Sequence, residues 1–194
     1  MRNEVTYPRR SPTEVCWEEE GQDDHSVQNN ADTQSFLDAL DGFVSVGLRA
    51  GESVIVIATP AHRRALDRIL RRRGHDLDQA QAENRYLPVD ADEALAQFMV
   101  NGWPDDTLFN ALINKLLARA RGPGRQVRAF GEMVAILWEQ GHNDATVHLE
   151  YLWNKLCAEE RFCLFCAYPR SGFTQDAQES IRTICAHHTR VIPE

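Results

Sequence analysis

No stretch of this chain approaches the roughly 20 consecutive apolar residues that a membrane-spanning helix needs. Arg9 and Arg10 have no apolar run behind them, so the N-terminus does not read as a secretory leader. The expected compartment is the cytoplasm. An excess of basic charge is also missing. Against 21 Lys and Arg stand 29 Asp and Glu, a net charge of -8, which argues against a nucleic-acid groove, since that needs dense cations to displace counterions. The clusters Arg63-Arg64 and Arg71-Arg72-Arg73 fall on one helix with acidic neighbours and read as a solvated face. Five cysteines, an odd number and widely spaced, exclude a disulfide framework and imply reduced thiols. The chain also lacks a Gly-x-Ser-x-Gly elbow, a His-Glu-x-x-His metal motif and a Gly-x-Gly-x-x-Gly turn.

Its 194 residues, 43% apolar, suffice for one domain with a real core. Residues 1–23 are polar, with Pro8, Pro12 and Glu18-Glu19-Glu20, and read as a flexible tail. Residues 24–194 read as a single domain without repeats. Asp32 or Thr33 caps a helix carrying Phe36, Leu37, Leu40, Phe43, Val44 and Leu48 at helical spacing, closed by Gly51. Val54 to Ala58 is a strand. Thr59 then caps a helix with Pro60 at its first position, burying Leu66, Ile69 and Leu70. Tyr86 to Val89 is a short strand, and Asp90 or Asp92 opens a helix. Gly102-Trp103-Pro104-Asp105 is a turn before a helix through Phe109 and Leu117. Gln126 to Phe130 is a strand, and Gly131 begins a helix. Asn143 or Asp144 caps the next. Phe162 to Tyr168 is the most apolar strand. A last helix, Gln175 to Ala186, leads to an extended tail, Arg190 to Ile192.

Strands alternating with amphipathic helices predict an α/β fold, a three-layer, mostly parallel sheet with helices on both faces. Ligands of such sheets bind beyond the carboxyl ends of the strands. After Val54-Ile-Val-Ile-Ala58, a phosphate-binding loop would place Gly-x-x-x-x-Gly-Lys-Ser/Thr; this chain has Thr59-Pro60-Ala61-His62-Arg63-Arg64.

Four strings in order, Ala50 to Pro60, Arg128 to Met133 with Leu137-Trp138, Glu150 to Leu156, and Cys166-Ala-Tyr-Pro169, resemble the MEDS domain, a sensory domain of methanogen and methylotroph signalling proteins and of the dichloromethane-responsive regulator. The resemblance runs from His25 to Pro193. It implies a fold related to RecA-like and clock-protein ATPases without their phosphate loop, and a role in sensing small molecules. It also implies a partner such as a histidine kinase or a regulator in bacterial signal transduction, because no effector domain stands in this sequence. The family's early segment has His and then an aromatic pair; here His25 matches, but Asn29-Asn30 replace the pair. His188 matches a histidine of the family before its last short strand.

The expected ligand-binding residues lie at or near the strand ends: His25, Thr59, Asp90, Arg128, Glu132, Tyr168 and Arg170. Four of them have a plainer structural reading. Asp90 caps a helix, Glu132 favours the first turn of its own helix, His25 is a buried, hydrogen-bonded core residue, and Arg128 pairs a carboxylate or sits at an edge. Cys163 and Cys166 have metal-motif spacing but lie in a strand, where residues three apart face opposite ways; they read as buried structural cysteines, like Cys157 and Cys185. Adjacent His187 and His188 diverge too far to share a metal. Trp138 and Trp153 read as core, Trp103 as an exposed contact residue, and His142 and His148 as surface. No catalytic residue, metal site or cofactor is assigned. The expected function is a non-catalytic sensor of an unidentified small molecule that acts through a protein partner and is able to self-associate. The alternatives are an ATPase-related enzyme with a non-standard phosphate site and a ligand-free docking scaffold.

Overall fold

The computed structural model describes residues 25–30, 32–122, 124–169 and 190–192. Six strands, β1 (His25–Asn30), β2 (Ser53–Ala58), β3 (Tyr86–Asp90), β6 (Val127–Gly131), β7 (Cys163–Pro169) and β8 (Arg190–Ile192), form one sheet in the order β3-β2-β6-β7-β1-β8. Every neighbouring pair is parallel. Seven helices surround it among the described residues: α1 (Thr33–Arg49), α2 (Pro60–Arg72), α3 (Leu77–Ala82), α4 (Ala91–Phe98), α5 (Asp106–Arg121), α6 (Met133–Glu139) and α7 (Asn143–Glu160). None of them is long and apolar enough to cross a membrane.

The period-two geometry of the strands divides the core in two. Val54, Val56 and Ala58 of β2 join Cys163, Phe165 and Ala167 of β7 against α1, α2 and α3. Ile55, Ile57, Leu164, Cys166 and Tyr168 face the other way, against α4, α5, α6 and α7. This is the expected three-layer α/β arrangement, and it explains why β2 reads as continuously apolar: both its faces are covered. Cys163 and Cys166 lie on opposite faces, as the strand period requires.

Local capping sets the helix starts. The side chains of Asp32, Thr59, Asp76, Asp90 and Asp105 each accept a backbone N–H of the first turn that follows. Four details differ from the sequence reading. Gly131 ends β6 rather than opening a helix, because it pairs with Ile57 and Cys166. α7 is capped by His142, without a side-chain hydrogen bond, rather than by Asn143 or Asp144. The segment before α5 is a two-stranded antiparallel ribbon, β4 (Met99–Val100) and β5 (Trp103–Pro104), turned by Asn101 and Gly102 at positive φ. α3 was not anticipated; it buries only Leu77 and Ala80, too few residues to show a helical period. The expected helix from 175 to 186 lies outside the described residues.

Candidate functional site

From β2 the chain passes through α2 and α3 to β3, on one side of β2. From β6 it passes through α6 and α7 to β7, on the other side. Adjacent strands whose connections leave in opposite directions open a crevice at their carboxyl ends. Thr59 follows β2 there, and Glu132 follows β6. The Glu132 amide donates to the Ile57 carbonyl at 2.9 Å, which ties the start of α6 to β2. Its carboxylate then crosses the crevice. Oε2 accepts the Thr59 N–H at 2.7 Å, and Oε1 accepts from His62 Nδ1 at 2.6 Å.

The sequence reading placed this charge at the first turn of its own helix. The structure aims it at the N-terminus of the neighbouring helix, α2, where unsatisfied N–H groups and the helix dipole favour an anion. Glu132 is therefore a built-in anion on the ground a phosphate would use. The hydrogen bond that His62 donates to Glu132 raises the pKa of His62, against partial burial that lowers it. The imidazole also lies against Phe36, with ring centroids 4.8 Å apart. One residue further on, Arg63 Nη2 donates to Asp90 Oδ2 at 2.9 Å. Asp90 also accepts from the amides of Asp92 and Glu93 at 3.1 and 3.2 Å, so it caps α4. Thr59, His62, Arg63, Asp90 and Glu132 thus form one polar rim at the carboxyl edge of the sheet.

A second group is internal. His25 opens β1, and Cys166 and Tyr168 sit two apart on the α7-facing side of β7. Glu150 comes from α7. All four are buried. His25 Nε2 lies 3.4 Å from Cys166 Sγ and 3.5 Å from Glu150 Oε2, while the Tyr168 hydroxyl donates to Glu150 Oε1. Burial pushes the Glu150 pKa up to about 8, with hydrogen bonds from Tyr168 and Cys166 opposing the shift. Burial, and then the Glu150 charge, raises the Cys166 thiol well above its ordinary value. Trp138 packs edge-on to Tyr168, with centroids 6.4 Å apart.

The expected site residues therefore fall into two groups. Thr59, Asp90 and Glu132 meet on the rim; His25 and Tyr168 meet in the interior. Arg128 joins neither. It sits near the amino end of β6, hydrogen-bonds Glu52 and lies over the Phe43 ring at 5.5 Å. Arg170, His187, His188 and Cys185 lie outside the described residues. Asn29 and Asn30 are β1 residues in register with Tyr168 and Pro169. Trp138 and Trp153 are core residues, whereas Trp103 is 46% exposed.

Sequence reasoning gave His62 no role, took Arg63 as part of a solvated basic face, and missed Glu150 and the grouping of Cys166. Glu150 carried a signal. Thr146, Glu150, Trp153 and Cys157 recur at helical spacing, and all are buried, so a carboxylate stands on the inward stripe of the helix.

The model of the MEDS family, the methanogen/methylotroph, DcmR sensory domain, matches residues 24–189. No curated protein matches the chain.

Proposed function

This chain belongs to the MEDS family, and on that premise we propose that it is a non-catalytic sensor that binds a small molecule at the carboxyl edge of its sheet and signals through a protein partner. The Glu132 carboxylate on the Thr59 amide and on His62 carries this reading. A nucleotide-hydrolysing α/β protein keeps that helix N-terminus open for phosphate. Here a fixed negative charge occupies it, and Pro60 removes a further donor. The remaining rim, Asp90 with Arg63 and Glu132 with His62, has its charges paired internally. It suits an uncharged or cationic small molecule better than an anion. A kinase or regulator as partner, and a cytoplasmic location, complete the proposal.

Calorimetric titration with ATP and Mg²⁺, together with a phosphate-release assay, tests the non-catalytic part. Neither heat of binding nor release is expected. Micromolar binding with turnover that Glu132→Gln abolishes would establish the enzyme instead. Native mass spectrometry of the purified chain tests the sensory part, with a co-purified small molecule as the expected result.

A ligand-free docking scaffold is the second reading, and one surface favours it. Trp103 stacks on His148 at 5.1 Å, and His148 on Tyr151 at 6.2 Å. Trp103 and Tyr151 are both about half exposed. Such an aromatic stack fits a protein contact. If no small molecule is retained, and Trp103→Ala with Tyr151→Ala abolishes partner binding, the scaffold reading stands.

A further inference from the structure

We infer that His25, Glu150 and Cys166 form a binding site for one zinc ion, enclosed between β1, β7 and α7. This goes beyond the sensory reading, and the residues involved are separate from the Glu132 rim. The three candidate donor atoms, a ring nitrogen, a carboxylate oxygen and a sulfur, all lie within 4.8 Å of one another. The spacing suits that ion. A tetrahedral zinc with donors at about 2.0–2.3 Å separates neighbouring donors by roughly 3.3–3.6 Å. His25 Nε2 is 3.4 Å from Cys166 Sγ and 3.5 Å from Glu150 Oε2, so two edges of such a tetrahedron are already in place.

The donor set selects the metal. One thiolate with one imidazole suits zinc, whereas magnesium and calcium take oxygen donors only. Charge also balances. Loading forms Zn–S, Zn–O and Zn–N bonds in place of waters of the hydrated ion; it breaks the Cys166 S–H bond and, where Glu150 carries a proton, its O–H bond, with the protons leaving to solvent. A thiolate, the Glu150 carboxylate and a neutral His25 imidazole then cancel the dication, which makes a neutral centre in a site with no exposure. Tyr168 is the positioning residue. Its hydroxyl holds Glu150 Oε1, which leaves Oε2 directed at His25, the arrangement by which outer partners orient ligating carboxylates. The elements are held firmly, since β1 and β7 share six register pairs. Three protein donors leave a fourth position, as in zinc sites that take an exogenous ligand.

The test uses the full chain, free of any affinity tag and purified from zinc-supplemented medium. Elemental analysis is expected to give one zinc per chain. Replacement of zinc by Co²⁺ is expected to give a thiolate-to-cobalt charge-transfer band and the intense visible bands of four-coordinate cobalt. Cys166→Ser is expected to remove the charge-transfer band, while Cys157→Ser and Cys163→Ser leave it. Tyr168→Phe is expected to weaken zinc ~10–100-fold in a chelator competition. Should Cys166→Ser not fold, zinc-edge X-ray absorption of the wild type decides, with one sulfur among nitrogen and oxygen donors expected. A folded chain that takes up neither metal overturns the inference. So does a cobalt band that survives Cys166→Ser, or a zinc shell without sulfur.

Discussion

The indole of Trp153 stands against the backbone of Gly131, so close that a Cβ on Gly131 would meet Cζ2 at 3.3 Å. The ring has little freedom to retreat. It is fully buried and packed edge-on to Phe109 at 5.0 Å, with Phe162 on it at 6.4 Å. The last residue of β6, from which the chain passes to Glu132, therefore has little room for a side chain. Gly131→Ala is expected to lower stability by about 1–3 kcal/mol, the usual cost of overpacking a filled core. Urea denaturation would show it as a fall in midpoint without a change in slope.

The crossing of Glu132 to α2 predicts a gain of anion binding. Glu132→Ala removes the carboxylate and leaves the Thr59 amide and the α2 N-terminus open. The variant is expected to be less stable than the wild type by about 1.5–3 kcal/mol in salt-free buffer, the usual net worth of a hydrogen bond to a charged group. Sulfate should then recover part of this loss, while barely affecting the wild type. Thermal melts with and without sulfate decide it; equal responses of the two proteins would count against Glu132 as the resident anion.

His62 gives the pH dependence. Its pKa is raised in the fold, first by the hydrogen bond to Glu132. A raised pKa means that the folded state holds its proton more tightly than the unfolded chain does. The stabilisation is therefore complete below the ordinary histidine value of about 6.5. It fades as pH rises through the higher folded value. His62→Asn should flatten that part of the stability profile. NMR titration of His62 in Glu132→Gln should show its pKa falling back.

Arg128 separates structure from site. Its guanidinium is buried, bonded to Glu52 and laid over Phe43, and Gly47 has no side chain because the Arg128 Cδ comes within 2.9 Å of where its Cβ would be. Arg128→Ala is expected to cost about 1–3 kcal/mol, through lost packing on Phe43 and the loss of a part-buried ion pair. The His62 titration at the opposite end of the sheet should be unchanged. A shifted His62 titration in this variant would tie Arg128 to the rim after all.

What was legible in the sequence is what is local. Asp32, Thr59, Asp90 and Asp105 announce helix starts because their partners lie two or three residues away. The apolar run of β2 announces a covered strand for the same reason. Glu132 shows its position at a strand end but not its target, because Thr59 and His62 lie 73 and 70 residues earlier. The internal group is harder still. His25 and Cys166 are 141 residues apart, and nothing in either neighbourhood points to the other; only strand order brings them together. The ends of β2, β3, β6 and β7 were visible from the sequence to within a residue, whereas the bounds of β1 and the short ribbon β4–β5 were not, and the pairing across strands had to come from the topology.

That topology also orders events at the ribosome. β1 is seated between β7 and β8, so the earliest of the described strands has no partner in this sheet until residues from Cys163 onward have emerged. β2, β3 and β6 can align beforehand. β1 therefore stays unmated while residues 31–162 are made, and its closure is a long-range step of the slow kind that distant contacts impose. His25 meets Glu150 and Cys166 only at that step, so the internal cluster is assembled after β2, β3 and β6 have been made.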